Sequence, residues 1–237
     1  MHTKSFRIDR YISKQLGINR RDIKLMLAQG RIVVNGETLR EVSTIVEEFD
    51  LVECDGKILQ NKMPLYIMVN KPIGVVSATK DDQHKTVVDL LDGYSKNELE
   101  SLHIVGRLDL NTSGLLLLTN NSAWSRKLMS PEAKVNKVYR VELENDLTAD
   151  YSAAFAEGMY FSFEDITTQP AELKIMTNKV AEVVLTEGKY HQIKRMFGRF
   201  RNPVLALHRS AVGDIVLDAD LQPGQSRELT AKEVCSI

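Results

Sequence analysis

The sequence predicts an α+β protein. A small α/β domain over residues 1–60 precedes a larger domain over 61–237, whose mixed, mainly antiparallel sheet is flanked by helices. Three observations predict it. The first sixty residues hold two short helical patterns followed by a glycine hairpin. From Tyr66 onward short strand-like runs dominate: YIMVNKP, LLLLT, KVYRVEL, AELKIM, AEVVLTEG and GDIVL. These runs lack the regular strand-helix-strand alternation that an all-parallel sheet would need.

In the small domain, Ile8, Ile12 and Leu16 are spaced four apart, one face of a helix that Gly17 can stop. Asn19 can cap a second helix, RRDIKLMLAQ, with Ile23, Met26 and Leu27 on one face and Gly30 as its end signal. RIVVNGETL then reads as an Asn35-Gly36 hairpin. Residues 54–65, CDGKILQNKMPL, read as a last hairpin and a polar linker.

In the larger domain, SAWSRKLM is a helix opened by Asn121 or Ser122, and another helix begins near Thr148. The unbroken run Leu115–Leu118 suits a strand buried on both faces. Asn111-Thr112-Ser113-Gly114 ahead of it is turn chemistry. Asp109 therefore stands in a turn region at the mouth of the core, beside Arg107. A carboxylate is seldom left there without a partner or a task.

Bulk composition excludes several classes. With 237 residues and 43% hydrophobic content the chain can bury a sizeable core. It has no bilayer-spanning apolar run and no signal-peptide pattern at its N-terminus, so no membrane association and a cytoplasmic location are expected. Cys54 and Cys235 show no CxxC spacing, and the histidines at 2, 84, 103, 191 and 208 are scattered, so no metal is expected. Phosphate-binding glycine loops are missing, and no nucleotide cofactor is expected.

The net charge of −1 hides an asymmetry. Residues 1–40 carry nine Lys or Arg (4, 7, 10, 14, 20, 21, 24, 31, 40) against acids at 9, 22 and 37. Within these, Arg20, Arg21, Lys24 and Arg31 cluster around the second helix and the hairpin. A second basic cluster, Lys189, Lys194, Arg195, Arg199, Arg201 and Arg209, contains no acid. Basic segments on a nearly neutral chain suit a local polyanion contact as well as they suit solvated helix faces.

Two further pieces join Asp109. In the strand KVYRVEL, Tyr139 shares a face with Val141 and Leu143. In EGKYHQIKRMFGRFR, Ile193, Met196, Phe197 and Phe200 make the apolar stripe of a helix on the core. Lys194 projects from the edge of that stripe, where a cation can reach a partly buried carboxylate and favour its ionised form. Arg195 and Arg199 leave from its polar side.

The stretch FRIDRYI…NRRDI…GRIVVNG resembles the alpha-L RNA-binding domain, of the type found in ribosomal protein S-four. That resemblance implies RNA contacts for Arg20, Arg21, Lys24 and Arg31. GRLDLNTSG, KVYRV and EGKYHQIKRM together resemble the three signature segments of RNA pseudouridine synthases, in the branch with an N-terminal alpha-L domain. VNKPIG at 69–74 and LHRSAVG at 207–213 extend the resemblance over nearly the whole chain, and YHQIKRM with IVLDADLQPG resembles the small-subunit (16S) ribosomal RNA branch.

What the resemblance implies is cofactor-free isomerisation of a uridine in 16S RNA, with uridine 516 as the target, on RNA or a small-subunit assembly intermediate. Asp109 takes the place of the essential carboxylate. Tyr139 is assigned to stacking on the base. Lys194 takes the place of the basic partner, usually an arginine, so orientation of Asp109 is expected to rely more on Arg107 or other neighbours, with Arg195 as the fallback partner, and Arg107 and Arg195 are expected to bind substrate. A monomer is the default. A synthase for large-subunit RNA and a non-catalytic assembly factor would share many of these parts, but the latter has no need of an acid in a basic RNA cleft.

Overall fold

The computed structural model describes residues 5–237. Met1 to Lys4, including the basic side chain counted at position 4, lie outside the described residues. Contacts divide the chain into two compact units, residues 1–64 with 121–123, and residues 65–120 with 124–237.

The first unit runs β1 (Phe6–Arg7), α1 (Ile8–Leu16), α2 (Arg20–Ala28), β2 (Ile32–Val34), β3 (Glu37–Thr38), β4 (Ile45–Val46), β5 (Val52–Cys54) and β6 (Lys57–Gln60). β1 pairs with β4, and the other strands form an antiparallel sheet in the order β3-β2-β5-β6. Local chemistry explains the boundaries. Gly17 closes α1 in the left-handed conformation, φ 68°, its N–H donating to the Ser13 carbonyl. The Asn19 side chain accepts from the Asp22 N–H at 3.0 Å and opens α2. Asn35 and Gly36, φ 51° and 83°, provide the two left-handed positions of a tight hairpin. Ile8, Ile12, Ile23, Leu27, Ile32 and Val52 are fully buried, whereas Leu16 stays exposed where its helix ends.

The second unit contains β7 (Tyr66–Lys71), α3 (Lys96–Ser101), β8 (His103–Val105), β9 (Ser113–Thr119), α4 (Ser122–Met129) from Trp124 onward, β10 (Lys137–Leu143) and α5 (Asp150–Glu157). There follow β11 (Tyr160–Phe161), β12 (Ile166–Thr167), β13 (Glu172–Thr177), β14 (Val180–Leu185), α6 (Gln192–Gly198), β15 (Val204–Val212), β16 (Ile215–Val216), β17 (Ser226–Glu228) and α7 (Ala231–Cys235). Its main sheet is ordered β13-β14-β10-β15-β9-β7-β17, with β16 on β15 and β8 on β9. All pairings are antiparallel except β15 with β9, which is parallel over two residue pairs, His208 with Ser113 and Arg209 with Gly114. The Ser113 hydroxyl and His208 Nδ1 lie 2.9 Å apart at this seam.

The two faces of this sheet explain the unbroken Leu115–Leu118 run. Leu116 and Leu118 pack in the larger core with Ile67, Val69, Val141 and Phe197. Leu115 and Leu117 pack on the opposite face with Met68, Trp124, Leu128 and Ile215. All four leucines are fully buried, each contributing about 1.5–3 kcal/mol of transfer free energy. Alternation is lost because neither face meets water.

Two expected boundaries move. Ser113 and Gly114 belong to β9, and the turn lies earlier, closed by the Thr112 N–H donating to the Asp109 carbonyl at 3.0 Å. Phe200 lies beyond the end of α6, where it stacks on Tyr151 with ring centroids 4.0 Å apart. Among the described residues, no helix is long and apolar enough to cross a membrane.

Candidate active site

Asp109 is mounted by backbone anchors on either side. The Ser77 hydroxyl donates to the Leu108 carbonyl at 2.8 Å and accepts from the Leu108 N–H at 3.0 Å. The Gly74 N–H donates to the Leu110 carbonyl at 2.9 Å, and the Asp109–Thr112 turn fixes the carboxylate's own backbone. The VNKPIG segment is thereby tied to the acid loop. Lys71 of that segment is fully buried, its ammonium donating to the carbonyls of Pro72 and Val75 at 2.9 and 2.7 Å. Burial pushes this ammonium down to about 8, and the negative charge of Asp109 works in the opposite direction.

β10 supplies the ring. Lys137, Tyr139, Val141 and Leu143 occupy one face by strand alternation, and Tyr139 is 8% exposed. Across the ladder Tyr139 pairs with Arg209. Arg209 is 2% exposed, and its Nε donates to the Leu115 carbonyl at 2.8 Å. Burial lowers the Lys137 ammonium, with the Arg209 charge as the next cause.

α6 supplies the cations. Ile193, Met196 and Phe197 bury its inner face. Gln192, 3% exposed, fastens the loop before it. Its side-chain amide donates to Glu187 Oε1 at 2.7 Å, and its amide oxygen accepts from the Lys189 N–H at 3.0 Å. This loop leaves His191 left-handed at φ 47°. His191 Nε2 lies 3.3 Å from Asp109 Oδ2, and Lys194 Nζ lies 3.7 Å from the same oxygen. Side-chain exposures are 37% for Asp109, 36% for His191 and 30% for Lys194. Solvent screening at that exposure leaves each pair worth roughly 1 kcal/mol or less, so these contacts orient the acid more than they stabilise the fold.

Asp109, Tyr139, His191 and Lys194 line a cavity of about 100 Å³, together with Arg107 and Thr112. It adjoins a cleft of about 1180 Å³ whose walls include Lys134, Lys137, Lys189, Tyr190 and Arg209. Among the buried side-chain nitrogen and oxygen atoms of the described residues, only Thr112 Oγ1 and Arg209 Nη2 lack a partner, and both residues border this space. A concave site with a carboxylate, adjacent cations and an aromatic floor suits a flat polar base attached to an anionic backbone. Among the described residues, no group of three or more His, Cys, Asp or Glu side chains could hold a metal ion.

The structure thus brings Asp109, Tyr139, Lys194 and Arg107 together. Arg195 departs from its expected place at the acid. Its guanidinium pairs bidentately with Glu164, Nη1 to Oε1 at 2.7 Å, and lies 3.8 Å above the Phe161 ring. It leaves from the polar side of α6, while Lys194, one residue earlier, leaves toward Asp109. Arg209, grouped by sequence with solvent-facing cations, is instead inside. In the first unit Arg20, Arg21 and Lys24 are exposed, whereas Arg31 pairs with Asp55 through contacts of 2.7 and 2.6 Å.

Periodicity and charge do not single out His191, Lys71 or Thr112. His191 sits in a non-periodic loop, Lys71 in an apolar strand, and Thr112 in a turn.

Comparison with known proteins matches two families to separate parts of the chain. The RNA pseudouridylate synthase family matches residues 65–198, and the S4 domain matches residues 6–52. The chain is 46% identical to Ribosomal small subunit pseudouridine synthase A of Pseudomonas aeruginosa over 98% of its own length and 100% of the relative's. The identically named protein of Escherichia coli K12 is 38% identical over 98% of this chain and 99% of the relative. A solved structure titled "Crystal structure of pseudouridylate synthase" superposes with a TM-score of 0.70 at 34% identity, covering 98% of this chain and 99% of that one. Sheet, cleft, motifs and full-length similarity agree: the chain is an isomerase that belongs to the RNA pseudouridylate synthase family.

Proposed function

We propose that this enzyme converts a uridine of small-subunit (16S) ribosomal RNA, uridine 516, to pseudouridine, with Asp109 as its catalytic carboxylate. The observation that carries the reading is the convergence of Asp109, Lys194 and Tyr139 on one small cavity. The names of the full-length relatives support the choice of ribosomal subunit.

The reaction breaks the bond between ribose and uracil N1, turns the base and rejoins it through carbon five. An ionised carboxylate, held in place and partly shielded from water, is suited either to attack the sugar carbon or to remove a sugar proton. Lys194 supplies the compensating positive charge. Tyr139 gives the base a stacking surface while it is detached. Arg107, at the cavity mouth, and Arg195, on the adjoining surface, contact the RNA strand. Extruding a uridine from folded RNA costs a few kcal/mol. Phosphate contacts from Arg20, Arg21, Lys24 and Arg31 of the RNA-binding domain, residues 1–60, offset that cost, while residues 61–237 act as the catalytic domain. The reading requires no metal or nucleotide, and the enzyme acts as a monomer on the RNA or on a small-subunit assembly intermediate.

The test incubates the enzyme with 16S RNA, free or in a partly assembled subunit, and maps pseudouridine by sequence position. Asp109→Asn is expected to bind the RNA and leave its uridines unchanged. Normal modification by that variant would overturn the role of Asp109, and wild-type modification confined to large-subunit RNA would overturn the substrate.

A further inference from the structure

We propose that His191 is a positioning residue for Asp109, and that it provides the second point of support that Lys194 alone cannot give. The inference rests on the catalytic reading of Asp109 above.

Three observations converge on it. First, both side chains bear on Oδ2 of Asp109: His191 Nε2 at 3.3 Å and Lys194 Nζ at 3.7 Å. A lysine ammonium is a point charge on a flexible stem and leaves a carboxylate free to rotate, whereas a planar donor at a second angle removes that freedom. A guanidinium supplies both angles by itself. Here two residues, spaced three apart at the start of α6, divide that task.

Second, the backbone at His191 is held in a conformation uncommon for a residue with a side chain, φ 47°. Such strain persists only where the surroundings impose it. Gln192 imposes it, being buried and bonded both to Glu187 and to the Lys189 N–H, while the Arg195 N–H donates to the His191 carbonyl at 2.9 Å. Relaxing His191 toward ordinary helical angles would redirect its ring. The clamp therefore fixes where the imidazole points, and it points at the acid.

Third, the outer face of the imidazole is covered by Tyr190, with ring centroids 3.9 Å apart and planes at 17°. The ring is thus confined by stacking on one side and by the carboxylate at its Nε2 edge. At 3.3 Å the contact is longer than an ideal hydrogen bond, and contacts of this kind tighten when substrate closes the site.

His191 is assigned no proton transfer and no contact with the reacting base. Its role is to restrict the carboxylate to one rotamer by supporting Oδ2, so its loss lowers the rate of the bound complex rather than the affinity for RNA.

The test uses the full chain and two substitutions compatible with a left-handed backbone. His191→Gly accepts the φ without strain and removes the ring. His191→Asn also tolerates that region and keeps a side-chain N–H donor. Pseudouridine formation is measured under saturating and limiting 16S RNA.

The expected result for His191→Gly is a kcat lowered by about tenfold with KM changed less than twofold, as befits an interaction made at the reacting centre. His191→Asn is expected to recover at least about a third of the wild-type kcat, since a donor is restored. A wild-type kcat in His191→Gly would overturn the inference. So would equal losses in both variants with a raised KM, which would mean that the loop serves RNA binding. Absence of wild-type modification of 16S RNA would remove the functional reading and this inference together, whereas wild-type turnover with an unaffected glycine variant removes the inference alone.

Discussion

Gly114 and Arg209 stand so close across the β9–β15 seam that a Cβ on the glycine would lie 2.2 Å from the Arg209 carbonyl oxygen and 2.7 Å from its nitrogen. Both are backbone atoms, so no rotamer change relieves the clash, and the glycine φ of 107° is itself unfavourable for any other residue. Gly114→Ala is expected to cost about 3 kcal/mol or more and to lower the melting temperature of the larger unit by roughly 10 °C. Thermal unfolding followed by circular dichroism checks it, and a loss below about 1 kcal/mol would mean that the strands separate cheaply at this point.

Lys71 gives the fold a distinctive response to alkali. Its buried ammonium is pushed down to about 8 from an ordinary 10.5, so between those pH values the unfolded chain holds more protons at this position than the folded one. Unfolding free energy from this group therefore rises as pH increases through that window, the penalty for burying the charge being fully present below it. Measured against Lys71→Met at pH 7.5 and 10, the wild type should gain relative stability at the higher pH. A difference that stays flat or shrinks would contradict the burial penalty.

Glu233 makes a prediction of the same sign on the acid side. Arg227 holds its carboxylate down to about 2 with contacts of 2.9 and 2.8 Å, and the Thr230 N–H adds a third at 2.7 Å. A lowered carboxylate stabilises the fold above its ordinary range and loses that contribution as pH falls toward the folded value. Glu233→Gln should cost about 1–2 kcal/mol at neutral pH, with the gap closing as pH falls from 4.5 toward 2. Urea unfolding at pH 7 and pH 3 reads the difference directly.

On the first unit, replacing Arg20, Arg21 and Lys24 with glutamine should weaken RNA binding and lower the slope of log affinity against log salt by roughly 2–3. Arg31→Gln alone should lower it by well under one, because Asp55 already takes much of that charge. Filter binding across a salt series decides it. An unchanged slope in the triple variant would remove this surface from the RNA contact.

Much of this was legible in the amino-acid order. Asn19 and Gly17 cap their helices because short polar and Cβ-free residues satisfy helix ends without tertiary help. Leu115–Leu118 declared a strand with two buried faces, and the one-sided charge of Lys194 at the edge of an apolar stripe declared its reach to Asp109. The failures have a common cause in tertiary context. Ser113 and Gly114 look like a turn, but Gly114 is required where two strands nearly touch. Arg195 carries the same charge as Lys194 and was given a share in the same acid, yet one residue of helical rotation sends it to Glu164 and Phe161. Arg209 reads as a surface cation because burial of a guanidinium depends on carbonyls far away in sequence, here that of Leu115. His191 had no periodicity to announce it, since its direction is set by a loop clamp rather than by a helix face.

The two-pair parallel contact between β9 and β15 has a geometric consequence for the chemistry. It is where two antiparallel leaves meet, one carrying the Asp109 turn into β9, the other carrying Tyr139 on β10 and Arg209 on β15. Acid and aromatic ring therefore ride on different leaves, and their separation is read off the join. A slip of one residue there would displace them by about 3.3 Å and turn a whole leaf inside out, so the join admits a single alignment. The narrowest part of the sheet acts as its gauge.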